Sequence, residues 1–135
     1  MLLSMQNTNL SLGSSERFKV NLISYSYYHI ILQADIDFEI EDVKKIIAME
    51  KNLGAKKLPV LISCQETTNT NTELMSYISK NENNPYSSAD AFVISSTSQS
   101  ILANFYMKVN KPERPTKFFK KETEALEWLK QFMPL

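Results

Sequence analysis

The chain reads as an α/β protein built on one mixed sheet, and three observations predict it. The apolar spacing switches repeatedly between a period of two and a period near 3.6. Two nearly continuous apolar runs, Leu58 to Cys64 and Ala89 to Ser95, have the character of strands covered on both faces. The last third passes through a proline-punctuated loop into a short strand, Thr116 to Phe119, and a closing amphipathic helix.

The elements follow in chain order. Phe18, Val20 and Leu22 alternate with Lys19 and Asn21, the pattern of a strand with one buried face. A second strand is expected from Tyr27 to Gln33, with Ser24, Tyr25 and Ser26 as a hairpin turn. Ile40, Val43, Ile46 and Ile47 then fall at helical spacing, behind Asp37, Glu39, Glu41 and Asp42, which suit the positive end of a helix dipole. Asp37 is the expected N-cap, and Gly54 the expected end, because glycine enters the left-handed conformation with little strain.

Pro59 must lie near the start of its strand, where a missing amide is tolerated. Thr70 to Glu73 matches a capping box ahead of Leu74, Tyr77 and Ile78, and Ser96 to Gln99 matches another ahead of Ile101, Leu102, Phe105 and Val109. Pro112 and Pro115 bracket a rigid connection. Ala125, Leu126, Leu129 and Phe132 form the stripe of the last helix, with Trp128 beside it. The expectation is therefore about five strands and about four helices, the first two strands antiparallel and the rest parallel across helical crossovers. Residues 1–15, rich in Asn, Ser and Thr, are expected to be a flexible lead, and residues 16–135 the domain.

Composition excludes several classes. At 135 residues, with 43% hydrophobic, the chain has enough apolar material for one core without metals or disulfides. A single cysteine, Cys64, rules out an intrachain disulfide. Fifteen basic residues balance fifteen acidic ones, so no net field draws in nucleic acid. No apolar run is long enough for an integral membrane segment, and the start lacks the marks of a signal peptide, so a cytoplasmic location is expected.

The element order resembles the STAS-like domains, the fold of bacterial anti-sigma-factor antagonists. The residues that carry the likeness are Lys57 to Leu61, Ala103 to Phe105, Asn110 to Pro112, Pro115 to Lys117 and Glu124 to Leu129. It covers residues 16–132 and comes closest to a set of uncharacterised small bacterial STAS-like proteins. In regulatory antagonists a phosphorylatable serine opens the helix after the central strand, in an Asp-Ser-Ser-Gly-like turn. The matching segment here, Ser63 to Thr72, has neither the Asp-Ser pair nor the glycine. Capping therefore explains its hydroxyls better than a phosphorylation switch does.

Chemistry is sparse. His29, the one histidine, sits in an expected strand, and no Ser-His-Asp assembly is traceable through it. Cys64 ends a buried strand, where an inert thiol is favoured. The acidic set from Asp35 to Asp42 lacks calcium-loop spacing. With only Gly13 and Gly54 in the chain, no phosphate-cradling loop exists. Lys108, Lys111, Arg114, Lys117, Lys120 and Lys121 make the C-terminal segment locally basic, read first as a solvated face.

The sequence thus predicts a non-catalytic interaction or regulatory module without cofactor or metal. It is expected to form a homo-oligomer and to take a regulatory protein partner. A local site, if there is one, is expected where a strand end meets a helix start, at Ser63, Cys64, Thr67, Thr68 and Thr70, able to hold an anion or a phosphate. Phe105, Tyr106 and Met107 are the expected interface residues. The rival reading is a small apolar-ligand or lipid carrier, because STAS-like domains resemble the lipid-binding CRAL-TRIO fold.

Overall fold

The computed structural model describes residues 9–134. Its six strands are β1 (Asn9–Ser14), β2 (Phe18–Ile23), β3 (Tyr27–Leu32), β4 (Leu58–Ser63), β5 (Ser87–Val93) and β6 (Thr116–Phe119). They lie side by side in chain order; β1, β2 and β3 are antiparallel, and β3 to β6 are parallel. The four α-helices are α1 (Ile40–Asn52), α2 (Thr72–Ser79), α3 (Thr97–Phe105) and α4 (Glu122–Leu129).

The α/β class and mixed sheet are as expected, with one strand more. Asn9–Ser14 pairs with β2 from Asn9↔Ile23 to Ser14↔Lys19, inside the segment expected to be a flexible lead. Its polar composition hid it, because an edge strand on a solvated sheet end needs little apolar surface. The remainder of that lead, residues 1–8, lies outside the described residues.

Alternation along the strands divides the core in two. Val20, Tyr28, Ile30, Val60, Ile62 and Phe92 face α1, α2, α3 and the turn after α3, which contribute Val43, Ile46, Leu74, Met75, Ile78, Ala103 and Tyr106. On the opposite face Leu61, Ala89 and Ala91 meet Ala125 and Leu129 of α4. The alanines of β5 let α4 approach closely, and Trp128 closes the edge against Phe119 and Phe132. Ending the chain after Lys121 should expose Leu61 and the alanine row. A fall in the denaturation midpoint is the expected result; an unchanged midpoint would refute this role for α4.

Local chemistry sets the ends. The β2–β3 turn puts Ser24 and Tyr25 in the left-handed region, closed by Ser26 N–H donating to the Ile23 carbonyl at 2.8 Å. The N-cap of α1 is Glu39 rather than Asp37, and the Asp42 carboxylate accepts the Glu39 amide at 2.9 Å. The N-cap of α2 is Asn71 rather than Thr70, its Oδ1 accepting from Leu74 N–H at 2.8 Å. Ser96 and Gln99 form the expected box at α3. Gly54, at φ 100°, lies just beyond the cap of α1.

Candidate functional site

The loop from Ser63 to Asn71 is held by side-chain hydrogen bonds that account for most of its hydroxyls. Thr67 Oγ1 accepts from Asp35 N–H at 3.0 Å. Thr68 is buried; its hydroxyl accepts from Gln65 N–H at 2.9 Å and donates to the Gln33 carbonyl at 2.8 Å. Gln99 Nε2 donates to the Gln65 and Thr68 carbonyls at 2.7 and 2.9 Å, tying the loop to α3. Thr70 Oγ1 is buried with no partner among the described residues. Cys64 packs against the core, and burial pushes its thiol up to about 12, so it stays protonated at neutral pH. Thr67 and Thr68 thus build the loop.

Ser63 differs. It ends β4 on the face that α4 covers, and the register sets it beside β3. Its Oγ lies 2.9 Å from His29 Nε2 and 3.4 Å from Glu122 Oε1, and His29 Nε2 lies 3.3 Å from the same carboxylate oxygen. The structure thus joins a serine, the lone histidine and a glutamate from β3, β4 and α4. Burial holds the imidazole below its usual pKa, against the opposing pull of Glu122, so His29 is neutral at pH 7. The arrangement is not a serine-hydrolase triad, which places the carboxylate on the imidazole nitrogen opposite the serine. Here both oxygens face one nitrogen.

The second feature is an outward apolar row. Ile101, Phe105 and Val109, four residues apart, are 64%, 40% and 59% exposed, and Met107 is 41% exposed. The inward residues of this stretch are Gln99, Ala103 and Tyr106. Tyr106 therefore corrects the expected interface set. It is fully buried, edge-on to Phe92 and Phe118, because its spacing of three from Ala103 and seven from Gln99 keeps it on the inward face as the π-helical turn Tyr106–Asn110 begins. Phe105 and Met107 remain at the surface.

Sequence reasoning missed a third, buried polar group. Arg114 is not part of the basic surface: its Nε donates to Asp90 Oδ2 at 2.8 Å and its Nη1 to Asn81 Oδ1 at 3.0 Å. It also donates to the Ile78 carbonyl, and Ser87 donates to the other Asp90 oxygen. Nearby, Glu50 lines a cavity of about 50 Å³ with Asp90 and Asn84. Burial first, and the Asp90 charge second, push the Glu50 carboxyl up to about 8.

A family model described as a domain of unknown function (DUF7793) matches residues 25–133. No curated protein and no solved structure matches the chain.

Proposed function

The chain belongs to the DUF7793 family, and we propose that it is a non-catalytic, STAS-like interaction or regulatory module of the bacterial cytoplasm. It acts by self-association and by docking a protein partner. The observation that carries this reading is the row Ile101, Phe105 and Val109. Single exposed apolar residues are ordinary, but Ile101 and Phe105 on α3 and Met107 and Val109 on the turn directly after it expose four apolar side chains within nine residues, a concentration of the kind that marks contact surfaces. A two-fold axis across α3 lays this row against its copy and removes both from water. Four successive strand–helix units, from β3–α1 to β6–α4, support the STAS-like reading.

The rival, a carrier of an apolar ligand or lipid, needs an enclosed volume of roughly 300–1,000 Å³. The apolar cavity beneath α2 and α3, lined by Leu74, Met75, Phe92 and Leu102, holds about 50 Å³. The apolar row also points outward, which favours docking over enclosure.

Sedimentation of the wild type beside the Ile101→Ser, Phe105→Ser variant tests the proposal. The expected result is a dimer that becomes a folded monomer, melting somewhat lower because the stabilisation from self-association is lost. A wild-type monomer that releases a lipid on organic extraction would install the carrier instead.

A further inference from the structure

We propose that α3 and the π-helical turn after it dock an acidic amphipathic helix of a partner protein, which displaces the second copy of the chain. This rests on the row Ile101, Phe105 and Val109 being a docking surface, and adds the chemistry of its occupant.

Charge around the row is of one sign. Between Asp90, which is buried, and Glu113 the chain has no carboxylate. Three exposed lysines flank the row. Lys120 stands at one end, its Nζ donating to Ser100 Oγ at 2.8 Å, and Lys108 and Lys111 stand at the other. Among the described residues none of the three pairs with a carboxylate, whereas Lys44 and Lys130 each bind a glutamate three residues earlier. A second copy therefore sets like charges against one another. An acidic helix supplies the missing carboxylates at both ends of the row.

The shape suits a helix. An open crevice of about 290 Å³ runs between α3 and the end of β6, lined by Ser100, Asn104, Phe118 and Lys120. Ser100 and Asn104 each precede a residue of the row on α3, so the crevice borders it. A partner's apolar stripe lies along Ile101, Phe105 and Val109, while carboxylates on its edges reach Lys120 in the crevice and Lys108 and Lys111 beyond. π-Helical turns are rare and concentrate at functional sites. This one carries Met107, Lys108 and Val109 at the surface and ends at Lys111 in the left-handed region, φ 51°, which is uncommon for a residue other than glycine. An anionic lipid surface is the weaker fit, because sites for it gather about four to eight cations and this row has three.

The test uses a fluorescent synthetic helix of about 18 residues, with leucines on one face and glutamates along both edges, beside its counterpart with lysines for the glutamates. The full chain should bind the glutamate peptide at least about tenfold more tightly than the lysine peptide. Its affinity should fall at least about tenfold between about 0.05 and 0.5 M salt. Phe105→Ser should abolish binding, and Lys108→Glu with Lys120→Glu should reverse the preference between the peptides. These positions are exposed, so the variants keep the fold. Sedimentation of the same mixtures separates peptide docking from self-association. A dimer that ignores both peptides overturns the acidic partner and leaves the dimer standing; a monomer that binds the glutamate peptide does the reverse. Equal affinity for the two peptides, or binding to phosphatidylglycerol vesicles with none to the glutamate peptide, would also overturn the acidic partner.

Discussion

Replacing Arg114 with methionine should cost about 3–5 kcal/mol, a large share of the roughly 5–15 kcal/mol that holds a domain of this size. The side chains of Arg114 and Asp90 are almost wholly buried, and their ion pair spans 2.8 Å. Loss of the guanidinium leaves the Asp90 carboxylate in the core with only Ser87 as a donor, and strips partners from the Ile78 carbonyl and Asn81. The pair links the end of α2 to β5 and to the loop before β6, so the damage crosses elements. Equilibrium denaturation measures it. Adding Asp90→Asn should restore the part due to the stranded charge but not the part due to the orphaned carbonyl. A single-variant loss below about 1 kcal/mol would show that the pair contributes little.

This cluster also shows where legibility ended. The strands and helices were readable because each carries its own period, and the class followed from their order. The contents of the stripes were less readable. Asp90 sits between Ala89 and Ala91 in an apolar run, a position that demands a buried cation, and Arg114 lies between Pro112 and Pro115 in the loop that enters β6. Read from Asp90 instead of from the local lysine count, that partner was within reach. The outward turn of α3 was harder. Ile101 and Phe105 face outward, while Ala103 and Gln99 go inward, where Gln99 holds the Ser63–Asn71 loop. The joining of His29, Ser63 and Glu122 carried no local signal. Ser63 stood out for its position at a strand end, but its neighbours come from strand register and the docking of α4.

Glu50→Gln should remove most of the dependence of stability on pH between about 6.5 and 8. Val43, Ile46 and Glu50 fall on one face of α1 at the spacing of core residues, and that face turns inward, so the carboxyl is buried near Asp90. Its folded pKa of about 8 stands well above the unfolded value of about 4.3. The sign follows from proton counts. Below the unfolded value both states are protonated and the fold carries no penalty from Glu50. As pH rises the unfolded state ionises first, and the folded state loses about 1.4 kcal/mol per pH unit until its own carboxyl ionises near pH 8. Two groups slope the other way at lower pH. Burial tends to raise the Asp42 carboxyl, but its bonds to Arg17 and the Glu39 amide hold it below its usual value, so its contribution is lost as pH falls through the acid range. His29, lowered mainly by burial, contributes stability that is lost as pH drops below about 6.5. The window from about 6.5 to 8 therefore belongs to Glu50 among the shifted groups. Glutamine keeps the size of the side chain and cannot ionise. Denaturation across that window should show a falling wild-type curve and a nearly level variant, the difference between them changing by about 2 kcal/mol from one end of the window to the other. The slope is the test, because a buried amide shifts the whole curve by a constant. Parallel slopes would place the Glu50 carboxyl in ordinary contact with water and remove it from the core.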